Sequence, residues 1–178
     1  RIGFGSYRVS RGNSIFASAI EKSLLNGINL IDTSSNYGDG GSESLIGDVI
    51  FNLIEKSKLK REEIFIVTKI GYIQGKNLEL VESFEKEEKS FSEITYYDSN
   101  CYHCISPDFL KDQIERARKR LGLFTIDALL LHNPEYFLMD RQKHNVSQEK
   151  ASEDYYDRIK RAFEFLEEMR INGIIRYY

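Results

Sequence analysis

Asp32, Tyr37, Lys69 and His132 each sit at or just beyond the end of a short apolar run, and together they carry the parts of a proton-transfer site. Asp32 closes the run Ile28 to Ile31, and Tyr37 follows in a polar loop. Lys69 closes IFIVTK and His132 closes IDALLLH. A tyrosine phenol titrates near ~10 and is a poor acid at neutral pH. A lysine ammonium within a few Å favours the phenolate and lowers that value, and an aspartate beside the lysine keeps it charged and oriented. A histidine at the same mouth can hydrogen-bond the oxygen of a bound carbonyl. The set amounts to a general acid with an oxyanion-stabilising partner, suited to protonating a carbonyl oxygen as its carbon is reduced. Neither a metal nor a covalent nucleophile is needed. Side chains cannot supply hydride, so a nicotinamide cofactor is implied.

The elements that would position these groups alternate in type. Ile2–Gly5 reads as a first strand with a tight turn, Gly5-Ser6-Tyr7-Arg8, at its end. Asn13 or Ser14 caps a helix whose face is Phe16, Ala19, Ile20 and Leu24, and Gly27 stops it. Ile28–Ile31 is the second strand. A glycine turn, Gly38 to Gly41, leads into a helix from Ser42 with Ile46, Val49, Ile50 and Leu53 as its stripe. Ile64–Thr68 is a third strand, apolar enough for burial on both faces. From Gly71 to Ile105 no period is sustained, and the segment reads as a long loop insertion. Ser106-Pro107-Asp108 opens the next helix, with Leu110, Ile114, Ala117 and Leu121 inward and Gly122 as the stop. Ile126–Leu131 is the fourth strand, and Asn133 to Lys150 a polar loop. A long helix with Tyr155, Ile159, Ala162, Phe163, Leu166 and Met169 inward ends at Gly173, and a fifth strand starts at Ile174.

Strand–helix alternation predicts parallel strands joined by right-handed crossovers. A doubly wound sheet and a (β/α)8 barrel both fit. The first turn, GFGSYR, lacks the third glycine of a dinucleotide fingerprint. Polar groups at the ends of strands two, three and four suit a barrel, whose sites assemble from many strand ends around one mouth. A complete barrel takes about 250 residues. The expectation is an α/β chain forming one domain over residues 1–178: strands one to four and the start of strand five of a (β/α)8 TIM barrel, interrupted at 71–105. The chain begins at Arg1 inside a strand pattern and stops as a strand begins, which reads as a fragment cut at both ends.

Composition narrows the classes. The 178 residues are 41% hydrophobic and 30% charged with a net charge of −3, a globular balance that argues against nucleic-acid or anionic-membrane partners. No apolar run approaches the roughly 20 residues of a membrane span. Two cysteines and no signal peptide make a reducing cytoplasm the default. Cys101, His103 and Cys104 carry metal-ligating types, with His144 a remote fourth, but zinc wants four ligands. They read as loop thiols, and no metal is expected.

The motifs resemble those of the aldo-keto reductase superfamily. LIDTSSNYG.GGSE is similar to the family's second-strand signature, with the catalytic Asp and Tyr matching Asp32 and Tyr37. IVTKIG matches the lysine strand at Lys69, and LLLHNPE matches the histidine strand at His132, with Asn133 beside it on the substrate side. IGFGSYR looks like the first-strand turn whose backbone lies near the nicotinamide, which gives Gly5, Ser6 and Tyr7, with Asp32, a cofactor-binding role. GIIRYY resembles the start of the fifth strand. The resemblance implies NADP or NAD as cofactor, NADP being favoured, and reversible reduction of aldehydes or ketones, or oxidation of the corresponding alcohol or sugar C1. The stretch CYHCISPDFL…IDALLLHNPE is similar to a subgroup resembling sugar 1-dehydrogenases, so the partner is a small carbonyl or sugar molecule. The rival readings are a non-catalytic, cofactor-sensing barrel and an inactive truncated fragment whose open edges invite aggregation.

Overall fold

A computed structural model describes residues 2–87 and 89–178; Arg1, and Glu88 within the 71–105 stretch, lie outside the described residues. The first half of the chain alternates β1 (Phe4–Gly5), α1 (Ser14–Leu25), β2 (Leu30–Asp32), α2 (Gly41–Glu55) and β3 (Phe65–Ile70). Beyond Gly71 come β4 (Tyr72–Ile73), α3 (Lys76–Lys86), β5 (Thr95–Asp98) and β6 (Cys101–His103). Alternation then resumes with α4 (Pro107–Leu121), β7 (Ile126–Leu131), α5 (Tyr136–Lys143), α6 (Gln148–Ile171) and β8 (Ile175–Tyr177).

β1, β2, β3, β7 and β8 form one parallel sheet in that order, each strand beside the previous one of the alternating series. The order never reverses, as it would at the crevice of a doubly wound sheet. Helices cover one face. Ile31, Ile66, Thr68, Ile70 and Leu129, which share that face by strand alternation, are completely buried. Two apolar clusters lie behind the sheet. One joins Ile20, Ile31, Ile46, Leu53 and Ile66 between α1, α2 and the first strands. The other joins Ile70, Phe109, Ile114, Leu129, Ala162 and Leu166 between α4, α6 and the later strands. The opposite face is open: Leu30 and Leu130 are exposed, and Phe65, Val67 and Lys69 are half-buried. The third strand is therefore buried on one face, not on both.

Local chemistry explains the element ends. Asn13 is the residue that caps α1, accepting from Ile15 N–H at 2.9 Å. Gly27 takes φ +89 just past that helix, and Gly122 takes φ +67 at the end of α4, where a Cβ would be strained. α2 enters through a 3₁₀ turn at Tyr37–Gly40 and is anchored by a buried carboxylate. Glu43 accepts from Thr68 Oγ1 at 2.5 Å and from Arg120 Nε at 2.6 Å, which ties α2 to both β3 and α4.

Four further expectations change. The 71–105 segment is not a loop: β4, β6 and β5 make a three-stranded antiparallel sheet, with α3 packed beside it. Its strands are too short to show a period, and α3 turns inward only a short face, with Val81 buried and Leu78 and Phe84 half-buried. The polar stretch after Asn133 contains α5, and α6 begins at Gln148. Phe163 is exposed on α6, its ring beside Tyr178 at 5.7 Å, because α6 buries its other side against β8 and α4. β3 runs on to Ile70, so Lys69 lies within the strand.

The crossing of α2 and α4 gives a test. A Cβ on Gly47 would sit 2.5 Å from Arg120 O and 2.9 Å from Leu121 C and O, all backbone atoms. Gly47→Ala adds roughly 1 kcal/mol of helix propensity, but here it is expected to lower stability by about 1–3 kcal/mol through overpacking. Urea denaturation reads the sign; a gain would mean that the helices do not approach so closely.

Candidate functional site

Asp32, Lys69 and His132 reach one end of the sheet because they share a face. In register, Gly5 pairs with Asp32, Asp32 with Val67, and Lys69 with Leu130. Strand alternation then puts Asp32, Lys69 and His132 on the open side at the C-terminal end. Tyr37 arrives from the turn before α2.

The centre of the cluster is the Lys69 ammonium. It donates to Asp32 Oδ1 at 2.6 Å, to Thr33 O at 2.9 Å and to Tyr37 Oη at 3.3 Å. An ammonium has three N–H donors, so each has an acceptor. Lys69 Nζ also lies 4.8 Å from the centre of the Tyr37 ring. The Lys69 side chain is 15% exposed and the Asp32 side chain 40%. Tyr37 Oη accepts from the lysine, which leaves its own O–H free to donate outward.

The His132 ring stands edge-on to Tyr37, centres 5.9 Å apart, and edge-on to Tyr72, centres 4.7 Å apart. Its Nδ1 is 2.9 Å from Ser34 Oγ. Ser34 Oγ is also 2.7 Å from Asn36 Oδ1 and 3.1 Å from Lys69 O. Burial and the Lys69 charge push the imidazole of His132 down from 6.5 to about 4, so it is neutral at neutral pH. The ring is half-buried.

The other candidates fall in two groups. Gly5 lies at the end of β1 with no atom within 4 Å of where a Cβ would be, and Tyr7 stands exposed, its ring edge-on to Tyr37 at 5.2 Å. Ser6 turns the other way: its side chain is fully buried, its N–H and Oγ donate to Asp32 O at 2.9 and 2.8 Å, and it accepts from Ser42 Oγ at 2.8 Å. Asn133 takes φ +52 next to His132, and its amide is engaged at both ends, donating to Glu135 Oε1 at 2.7 Å and accepting from Tyr72 Oη at 3.3 Å.

Sequence reasoning missed Ser34, Tyr72 and Tyr136. Ser34 is two residues past Asp32 and shares its face, which alternation could have flagged. Tyr72 and Tyr136 fall in segments read as loops; their rings pack edge-on at 5.4 Å to line the mouth beside His132. Burial and a hydrogen bond with Tyr136 push the Tyr72 phenol well above its ordinary value.

Cys101 and Cys104 are free thiols, both buried. Burial raises Cys104 to about 11, and His144 pairs with Asp140 on α5. Among the described residues, no group of three or more His, Cys, Asp or Glu is placed to hold a metal, and no helix is long and apolar enough to cross a membrane.

A parallel sheet with polar groups gathered at one end is an α/β architecture that many activities share, and sequence comparison supplies the family. Residues 1–178 match the Aldo/keto reductase family, and the chain belongs to it. It is 26% identical over 140 residues to the NADH-specific methylglyoxal reductase of Escherichia coli (strain K12), which covers 74% of this chain and 37% of that protein. It is 25% identical over 177 residues to the uncharacterized oxidoreductase YqkF of Bacillus subtilis (strain 168), covering 99% of this chain and 43% of that one. Among solved structures, aldo-keto reductase AKR11C1 from Bacillus halodurans in its holo form superposes with a TM-score of 0.66 at 21% identity, covering 99% of this chain and 44% of that one. The thermostable aldo-keto reductase Tm1743 gives 0.59 at 20% identity, covering 98% and 46%. The fold is thus the α/β fold of aldo-keto reductases, which are (β/α)8 barrels. The chain spans less than half the length of these relatives.

The two depressed imidazoles set a pH dependence. His103, like His132, is held near about 4 against 6.5 in the unfolded chain, by burial. Below 6.5 the unfolded state binds protons that the folded state refuses, so stability is full above that pH and is lost as pH falls toward 4. Urea midpoints measured from pH 7 down to about 4 should fall across this window. A flat profile would contradict the neutral, buried imidazoles.

Proposed function

We propose that the protein carrying this chain is an NAD(P)-dependent oxidoreductase that reversibly reduces aldehyde or ketone carbonyls, with this chain as the first half of its (β/α)8 barrel. Three features support the half-barrel reading: five sequential parallel strands, helices on one face, and an open opposite face that bears Leu30, Val67 and Leu130. That face is what strands six to eight would enclose in a closed barrel.

The observation that carries the chemical reading is the saturated Lys69 ammonium touching Tyr37 Oη. Because the phenol oxygen accepts from Lys69, its proton points outward, to a substrate oxygen at the mouth. As that proton leaves, the ammonium stabilises the phenolate. Asp32 and Thr33 O hold Lys69 in place. His132 stands at the mouth to orient the carbonyl, its ring held at Nδ1 by the hydrogen bond with Ser34 Oγ. The neutral imidazole avoids a second positive charge beside Lys69.

The residues present fit a nicotinamide. Gly5 leaves open space at the end of β1, flanked by the exposed Tyr7 ring and the half-exposed Asp32 carboxylate. A flat heteroaromatic ring with its ribose matches that backbone floor. When bound, a nicotinamide cofactor supplies the hydride that the side chains cannot. Of the predicted cofactor residues, Gly5, Tyr7 and Asp32 face this space, whereas Ser6 supports it from behind. The Escherichia coli relative is named for NADH, which makes NADH the first cofactor to assay beside NADPH. The cofactor-sensing alternative is separated by turnover, since only the enzyme oxidises reduced cofactor in an aldehyde-dependent way.

In the full-length protein, Tyr37→Phe is expected to cut aldehyde-dependent oxidation of NADH or NADPH by about 10²–10⁴-fold while leaving the cofactor Kd unchanged. Near-normal turnover by that variant would refute the assignment. Ser34→Ala should lower kcat about tenfold or more with little effect on cofactor binding, because the His132 ring loses the hydrogen bond that orients it. An unchanged kcat would remove Ser34 from the mechanism.

A further inference from the structure

The 71–105 insertion contributes a fully buried histidine that none of the chemistry above uses. His103 ends β6 and is 1% exposed. Its Nε2 lies 2.7 Å from the main-chain oxygen of His132. A carbonyl only accepts, so Nε2 carries the proton. The ring is stacked parallel to Tyr136, centres 5.9 Å apart, and stands edge-on to Tyr72 at the same distance.

The ladder explains why that donor is needed. β3 and β7 are paired through Ile70 and Leu131, and His132 N–H still donates to Ile70 O at 2.8 Å. One more rung would bring the Tyr72 N–H to His132 O. The chain leaves the parallel sheet at Gly71 instead, and Tyr72 pairs with His103 in the antiparallel sheet. A Cβ at Gly71 would lie 2.5 Å from His103 Nε2 and 2.7 Å from His132 O, so the glycine clears the path of this one bond. Cys104 N–H closes the corner by donating to Gly71 O at 2.9 Å. Immediately beyond His132, Asn133 turns left-handed.

We infer that His103 is a positioning residue for His132. Its Nε2–H replaces the missing rung, fixes the last peptide of β7 before the chain turns, and so sets where the His132 ring stands between Tyr37 and Tyr72. The inference rests on the reading of His132 as the group that orients the carbonyl. Burial holds the His103 ring neutral, with one proton to give. The ring could have been replaced at this spot by any buried apolar group if packing alone were at stake. Among the described residues the imidazole has one hydrogen-bond partner, the His132 carbonyl, which points to the bond itself.

The test compares His103→Phe, which keeps a ring to stack on Tyr136 but loses the donor, with His103→Gln, whose side-chain amide N–H can reach the same carbonyl. Both are made in the full-length protein. His103→Phe is expected to lower kcat roughly tenfold to a hundredfold at unchanged cofactor Kd, and His103→Gln to recover most of the loss. Equal kcat for wild type and His103→Phe, or no recovery in His103→Gln, would overturn the inference. A second readout does not need turnover. The His132 ring ¹⁵N signals are assigned by their loss in His132→Gln. They should move in His103→Phe and return toward wild type in His103→Gln. Signals that stay put in His103→Phe would overturn the inference even if the wild type proved inactive, whereas inactivity alone would count against the oxidoreductase reading.

Discussion

The Lys69 ammonium has three acceptors and no spare donor, and the mouth is arranged around that fact. A largely buried ammonium costs several kcal/mol when unpaired. Asp32 is too exposed for its charge alone to offset that cost, because solvent screens it. The main-chain oxygen of Thr33 and the phenol of Tyr37 complete the shell. The ammonium can therefore stay charged in place only if β2, β3 and the turn before α2 keep their relative positions. Parallel register provides the first two, since Asp32 sits across from Val67 and two residues short of Lys69 on the same face. The third comes from behind the sheet, where Glu43 bridges Thr68 and Arg120 and holds the start of α2 against β3. The polar layer on the covered face thus serves the charged cluster on the open one.

Much of this was legible from residue order. Runs that end in Asp32, Lys69 and His132 predict strands of one direction whose C-terminal ends converge; the one-sided burial of β3 was not legible, because its continuous apolar run hides the alternation. Gly27 and Gly122 marked helix ends by the conformation they adopt. The reading failed where structure depends on pairing between distant short pieces. β4, β5 and β6 are two to four residues long, below the length at which a period of two stands out. Tyr72 and His103 acquire their roles only by facing each other across 31 residues of sequence, as the β4–β6 register dictates. The direction of the Ser6 side chain was not legible either: position in a turn says nothing about which way a side chain points, and here it lies on the buried side.

The insertion leaves the parallel sheet at a single residue. Gly71 at φ +157 allows β3 to feed two sheets, one parallel and one antiparallel. That branch point lies two residues past Lys69 and packs against the main chain of His132. The wall beside the mouth and the support of its imidazole therefore have one origin. Tyr72 presents its ring to His132 from β4, while His103 holds the His132 carbonyl from β6.

That shared origin constrains how the site can vary. In a barrel, substrate preference is usually changed through loops while the strand-borne groups stay fixed. Here a substitution at Tyr72 reaches His103 through their edge-on contact and the β4–β6 pairing, and reaches Asn133 through the phenol hydrogen bond. Reshaping the wall would move the imidazole as well. Segments farther along the insertion are freer, because α3 buries only Val81 and its remaining side chains face outward or lie half-covered. Variation in α3 can thus alter the rim without disturbing the rung at His132, whereas variation in β4 or β6 cannot.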